Sequence, residues 1–379
     1  MKTVPKPLYL AVPPKRHCTP LLQTPSTCKL TNKILGDTLE SPHDNRFSSQ
    51  YLNLAEERLG SVVLATTDDF FAEKENIIKP GRGIFIPDKF TDDGKWMDGW
   101  ESRRKRIPGH DWCSIRLGAP GKIRALDIDT NHFTGNFPPF ASLEACEITG
   151  DPDESSEWTE LLTKSPLTGT SQNFFEVSSD QRWTHVRLHI YPDGGVARLR
   201  VYGEPHMDWS TIGADQIIDL SASWHGGLAL ACNDQHFGDM GNLIAPGRGK
   251  NMGDGWETRR RRTPGNDWVI LRLARKGEVR KIEVDTNFFK GNYPDRCSVD
   301  AVFLPVDLPS NLPADNSPES WGTANIEWQT LLPEQKLQAD HQHFFEAELQ
   351  TIGAVNHLRL NIFPDGGVSR FRVSGVKAD

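Results

Sequence analysis

The stretch HVRLHIYPDGGVARLRVYG (185–203) and its near-copy HLRLNIFPDGGVSRFRVSG (357–375) decide the fold. In both, apolar residues alternate with polar or basic ones on either side of Pro-Asp-Gly-Gly, the period of a strand with one buried face. Proline presets φ and two glycines permit positive φ, so each segment reads as two strands joined by a tight hairpin. WCSIRLG (112–118) and IRALDIDT (123–130) alternate in the same way, and no stretch shows sustained helical spacing with caps. Short strands between Gly- and Pro-rich turns over about 160 residues predict an antiparallel β-sandwich or jelly roll.

The duplication continues outward from that stretch. DGWESRRKRIPGHDW (98–112) recurs as DGWETRRRRTPGNDW (254–268) with 11 of 15 positions identical, DIDTNHFTGNFP (127–138) recurs as EVDTNFFKGNYP (283–294), and both halves carry Gly-Arg-Gly, at 81–83 and 247–249. Only the first half inserts IFIPDKFTDDGKW (84–96). The chain therefore reads as two homologous domains, 46–204 and 212–379, joined by a linker at 205–211 and preceded by a Pro-rich, disordered extension at 1–45.

Composition sets the outer limits. At 379 residues, with 37% hydrophobic and 25% charged content, each half is long enough to bury a core without disulfides or metal. No run approaches the roughly 18 apolar residues of a membrane helix. Six cysteines without a C-x-x-C pair read as reduced, inert thiols of a cytosolic protein. The net charge of −8 argues against nucleic acid and membrane as partners, so the arginine clusters serve something local.

In an extended segment Glu101, Arg103 and Lys105 share one side and Trp100, Ser102, Arg104 and Arg106 the other, with Glu257, Arg259 and Arg261 set against Trp256, Thr258, Arg260 and Arg262 in the second copy. Such guanidinium forks suit a carboxylate or a ureido oxygen, each charge-assisted bond being worth about 1.5–3 kcal/mol. The competing reading is structural: Glu101 pairs with Arg103, and a guanidinium stacks on Trp100 or Trp112. The triplets Asp129 to Asn131 and Asp285 to Asn287 end predicted strands, where an acid and an amide can meet a small polar substrate or bond their own turn. Asp127, opposite Glu283, reads as structural. Asymmetric chemistry would fall to copy-specific residues such as His110, His132 and His343, while His185 and Arg187, with His357 and Arg359, read as a solvated or interdomain face. Nucleophile-elbow, phosphate-loop, dinucleotide and zincin motifs are absent.

NLAEERLGSVVLATTDDFFAEKENII (53–78), followed by DGWESRRKRIPGHDW, DIDTNHFTGNFP and YPDGGVARLRVYG, closely resembles the allantoicase family, and the second-half versions resemble that family's second repeat, from about Asn53 to Val376. The resemblance implies two tandem galactose-binding-like jelly rolls, a homo-oligomer, and hydrolysis of allantoate to (S)-ureidoglycolate and urea. Under it, one or more of Arg103, Arg104, Arg259 and Arg260 holds the substrate carboxylate and Asn131 and Asn287 meet the ureido groups. Glu101, Glu257, Asp129 or Asp285 orients the water, and an acid or histidine protonates the leaving nitrogen. No cofactor is expected, and a divalent metal stays open because histidines and carboxylates are present without diagnostic ligand spacing. A non-catalytic binding protein on the same fold, or an inactive paralogue, is the alternative.

Overall fold

The computed structural model describes residues 47–48, 50–305, 318–323 and 326–378; the extension at 1–45 lies outside them. The first repeat forms an eight-stranded sheet system from β1 (Leu52–Asn53), β2 (Val62–Thr66), β3 (Asp111–Asp129), β4 (Phe140–Cys146), β5 (Thr159–Pro166), β6 (Gln172–Glu176), β7 (Trp183–Tyr191) and β8 (Arg198–Pro205). The second repeats it with β9 (Ile218–Asp219), β10 (Leu228–Cys232), β11 (Asp267–Asp285), β12 (Arg296–Val302), β13 (Gln329–Lys336), β14 (Gln342–Phe345), β15 (Val355–Phe363) and β16 (Arg370–Lys377). The fold is all-β: two tandem jelly-roll sandwiches, as expected.

One 19-residue strand builds each sandwich. The first part of β3, from Asp111 to Arg116, pairs with β2 and β7, while Ile123 to Asp129 pairs with β6 and β8, so β3 passes from one sheet into the other. The register shifts between Tyr202 and Gly203, leaving Arg124 as an extra residue. A bulge of this kind inverts which residues face inward. Before it Cys113, Ile115, Leu117 and Ile123 enter the core; after it Leu126 and Ile128 do, and Asp127 and Asp129 turn to the outer face. The same shift at Arg280 sends Glu283 and Asp285 outward in the second repeat.

The predicted hairpins do not form. β7 pairs with β3 and β4, whereas β8 pairs with β1 and β3, so Pro-Asp-Gly-Gly crosses between the sheets instead of turning back within one. Alternation fixes a strand's buried face but not its neighbour, and both partners here lie along β3. The glycines serve the crossing. Gly194 sits at φ 139°, and a Cβ on Gly195 would lie 1.9 Å from the Phe133 ring, with Gly366 and Gly367 repeating this against Phe289. Trp100 and Trp256 are fully buried at the centre of the two cores, where each fully buried large apolar side chain is worth about 1.5–3 kcal/mol.

Arg58 ties the repeats together, bonding Asn242 and lying 3.8 Å from Asp254. His185 and His357 are buried rather than solvated. His357 lies opposite Arg272, whose environment includes Glu204 and Tyr51 of the first repeat, so this face turns toward the other domain. Among the described residues no helix is long and apolar enough to cross a membrane.

Candidate active site

The acid and arginine motif forms the rim of each sandwich. Trp100–Glu101 pairs with Gly195–Val196, and the Trp100 indole N–H donates to the Asp68 carbonyl at 2.8 Å. The Asp68 carboxylate then takes Arg103, accepting from its backbone N–H at 2.9 Å and from Nε at 2.7 Å. Burial pushes the Asp68 carboxyl up, but the hydrogen bonds and charge of Arg103 outweigh it and hold the group below its usual range. Asp234 does the same for Trp256 and Arg259, at 2.9 Å from the indole and 2.8 Å from Arg259 Nε. Arg103 also lies over the Phe70 ring, and it is Arg187 that covers Trp112.

Glu101 is therefore not paired with Arg103. Its Oε1 accepts from Asn136 Nδ2 at 2.6 Å, and burial raises its carboxyl against that bond. Glu257 accepts from Asn292 in the same way. Glu101, Ser102, Arg104, Asn136, Asp193 and Gly194 line a hollow of about 300 Å³. Asp193 is buried, accepting the Lys105 backbone N–H at 2.7 Å, and lies 3.8 Å from Arg104, whose guanidinium stands exposed. Asp365 and the Arg261 N–H repeat this at 2.9 Å, and Arg260 is exposed in the second copy. The hollow thus carries a carboxyl with an elevated proton affinity, an amide, and an exposed cation, a set suited to bind and protonate a small anionic amide.

The Asp-Thr-Asn triplets lie elsewhere. Asp129 accepts from Arg82 Nε at 3.2 Å and from the Asn131 N–H at 2.9 Å, while Asn131 Nδ2 donates to the Gly83 carbonyl at 3.1 Å. Asp285 accepts from Arg248 Nε at 2.8 Å and from the Asn287 N–H at 2.9 Å, and Asn287 Nδ2 reaches the Gly249 carbonyl at 3.3 Å. Each triplet clamps a Gly-Arg-Gly loop onto a strand end. Asp129, Arg82 and Arg248 line a different space, a cavity of about 750 Å³ between the repeats, whereas Glu101 and Arg104 do not.

The copy-specific histidines have local partners. His110 Nε2 lies 3.0 Å from His189 Nδ1, and His189 Nε2 lies 3.1 Å from Glu144. His132 contacts the Gly83 carbonyl and His343 the Val284 carbonyl. Among the described residues no group of three His, Cys, Asp or Glu is placed to hold a metal ion. The four described cysteines are buried, and burial lifts Cys146 to about 11 and Cys297 to about 12. Sequence reasoning passed over Asn136, Asn292, Asp193 and Asp365. Their identity in both copies was the available signal.

The family model described as Allantoicase repeat matches twice, over residues 52–206 and 218–378. A "Probable allantoicase 1" of Burkholderia mallei is 52% identical over 339 residues, 89% of this chain and 98% of its own length. A "Probable allantoicase" of Pseudomonas syringae pv. syringae is 53% identical over 330 residues, 87% and 97% of the two chains. The crystal structure of allantoicase from Saccharomyces cerevisiae superposes with a TM-score of 0.71 at 35% identity, covering 87% of this chain and 95% of that one.

Proposed function

We propose that this chain, which belongs to the allantoicase family, hydrolyses allantoate to (S)-ureidoglycolate and urea at the rims that carry Glu101 and Glu257. The match of both repeats over nearly the full length of their relatives carries the reading, and the hollow at Glu101, with the matching residues Glu257, Asn292 and Arg260 of the second repeat, supplies suitable chemistry. Allantoate has a carboxylate and two ureido groups on one carbon. Arg104, or Arg260, takes the carboxylate. Asn136, or Asn292, fixes one carboxyl oxygen of Glu101, or Glu257, and leaves the other for the substrate.

Burial favours the protonated form of Glu101. That proton goes to the departing ureido nitrogen as the C–N bond breaks, urea leaves neutral, and the carboxylate then receives a proton from the water that forms the new C–O bond. One positioned acid or base of this kind contributes about 10²–10⁴-fold. Arg103 and Arg259 act through Asp68 and Asp234 as positioning residues. Asp129, Asp285, Asn131 and Asn287 act through the loops they clamp.

The cytosol is proposed as the compartment, on the buried reduced thiols, and an assembly of identical copies is proposed on family resemblance alone. Purified chain incubated with allantoate tests the activity: urea release is expected with and without chelator. R104A and R260A together are expected to raise KM about 10–100-fold with the fold intact, as loss of a charge-assisted carboxylate bond predicts. Absence of urea release overturns the reading in favour of a binding protein or an inactive paralogue.

A further inference from the structure

The arginine motif of the first repeat ends at His110, where a chain of side chains begins that runs away from the rim across the sheet. His110 Nε2 lies 3.0 Å from His189 Nδ1 on β7, and His189 Nε2 lies 3.1 Å from Glu144 on β4, which also accepts from Arg187 at 3.0 Å. The carboxylate fixes a proton on His189 Nε2, which leaves Nδ1 as the acceptor and makes His110 Nε2–H the donor. The His110 ring also lies against Tyr191, centroids 4.5 Å apart, and the Tyr191 hydroxyl meets Ser142 at 2.9 Å.

This chain holds one end of a strap. Residues 103–110 carry Arg104, and the Lys105 N–H is fixed by Asp193 at 2.7 Å, but Arg106, Ile107 and Gly109 beyond it are exposed. The far end is set by His110 and by the Asp111 N–H, which donates to the Pro192 carbonyl at 3.2 Å. Tyr191 leads directly into Pro192 and Asp193, both walls of the hollow. In the second repeat the matching residues are Asn266 and Asn361, whose amides donate elsewhere, to the Asp267 carbonyl at 3.0 Å and to Ser298 and Asp300 at 3.2 and 2.9 Å. The second strap closes without this tether and gives an internal control.

The two rings have room for one added proton but not for two. With both cationic, Nδ1–H would face Nε2–H with no lone pair between them. Arg187, Lys164 over the Tyr191 ring and Lys105 add to that repulsion, against Glu144 and Asp111. Burial holds His189 below its usual range, together with the charges of His110 and Arg187, against the bond and charge of Glu144.

We propose that His110 and His189 are positioning residues of the first rim: their hydrogen bond, backed by Glu144, tethers the strap that presents Arg104, and protonation of both rings releases it. The tether stands on its own geometry; its effect on substrate rests on the proposed activity.

Limited trypsin digestion of the full chain reads the strap without substrate, because trypsin cuts after the exposed Arg104 and Arg106 in one copy and Arg260 and Arg262 in the other. H110A is expected to speed cleavage of the first strap about tenfold and to leave the second unchanged. Equal rates overturn the proposal. In urea release, E257Q leaves the first rim and E101Q the second. H110A is expected to raise KM about tenfold in E257Q and not in E101Q, with kcat nearly kept. KM of E257Q is expected to rise as pH falls from about 7.5 to about 5.5, and H110Q, which keeps a donor and does not titrate, to remove that rise. A KM in E257Q untouched by H110A, or a rise that survives H110Q, overturns the proposal. No urea release from the wild-type chain overturns the proposed activity and leaves the trypsin result to decide the tether.

Discussion

The rims and the faces of the two sandwiches have fared differently under duplication. At the rims Glu101 and Glu257, Asn136 and Asn292, Asp193 and Asp365 make the same bonds in both copies. At the faces Asp127 and Glu283 each accept from a glutamine, Gln172 at 2.7 Å and Gln342 at 2.8 Å, but Asp127 is buried with its second oxygen unpaired while Glu283 stays half-buried. What both copies keep is what both need, and where they differ the local burial differs with them.

Substitutions at matched positions sharpen that contrast. Arg198 and Arg370 are buried and pair with Asp98 and Asp254 at 2.7 and 2.9 Å. R198M and R370M each remove the main charge partner of a carboxylate and are expected to cost about 3–5 kcal/mol in guanidinium unfolding. Near-equal losses support a shared scaffold, and a difference of several-fold breaks it.

Asp127 and Glu283 are expected to diverge. Burial, then the neighbouring charge of Asp129, lifts the Asp127 carboxyl to about 7, against the hydrogen bond from Gln172 and the charges of Arg200 and Arg82. Between pH 3.8 and 7 the folded chain holds a proton that the unfolded chain has lost, so stability falls as pH rises through that window, and the penalty is complete above it. D127N is therefore expected to raise the stability at pH 8 by on the order of a few kcal/mol and to gain little at pH 4. E283Q should stay within about 0.5 kcal/mol at either pH. Equal responses by thermal melting would erase the distinction between the faces.

His357 works in the acid direction. Burial, then the charge of Arg272, pushes it down to about 3, so below pH 6.5 the unfolded chain takes up a proton that the folded chain refuses. The His357 contribution to stability is expected to fall by about 2 kcal/mol between pH 6.5 and 5, opposite in sign to that of Asp127, so H357Q is expected to be more stable toward pH 5, relative to pH 6.5, than the unaltered chain in melts across the range. The smallest effect belongs to the indoles: W100F and W256F keep most of the core and lose one hydrogen bond each, about 1 kcal/mol by chemical denaturation.

Much of this was legible in the residues. Alternation at 185–203 and 357–375 gave strands and duplication gave two sandwiches, because burial on one face of a sheet writes itself into the sequence with period two. Pairing did not. β7 and β8 read as a hairpin because nothing local reveals that one long strand serves both sheets. Arg103 was visible as a cation but not as a partner of Asp68, which lies 35 positions away. Asp127 read as structural because its place on the outer face follows from the bulge at Arg124, which no local pattern records. Family resemblance told the activity and not how Asn136 holds Glu101.

Urea release from allantoate by E101Q, E257Q and the double variant, at matched folding, tests the central claim most directly. Rates are expected to fall at least 100-fold in the double variant, with the single variants dividing the loss between the two rims. A double variant that releases urea as fast as the unaltered chain would place the chemistry somewhere other than the two rims.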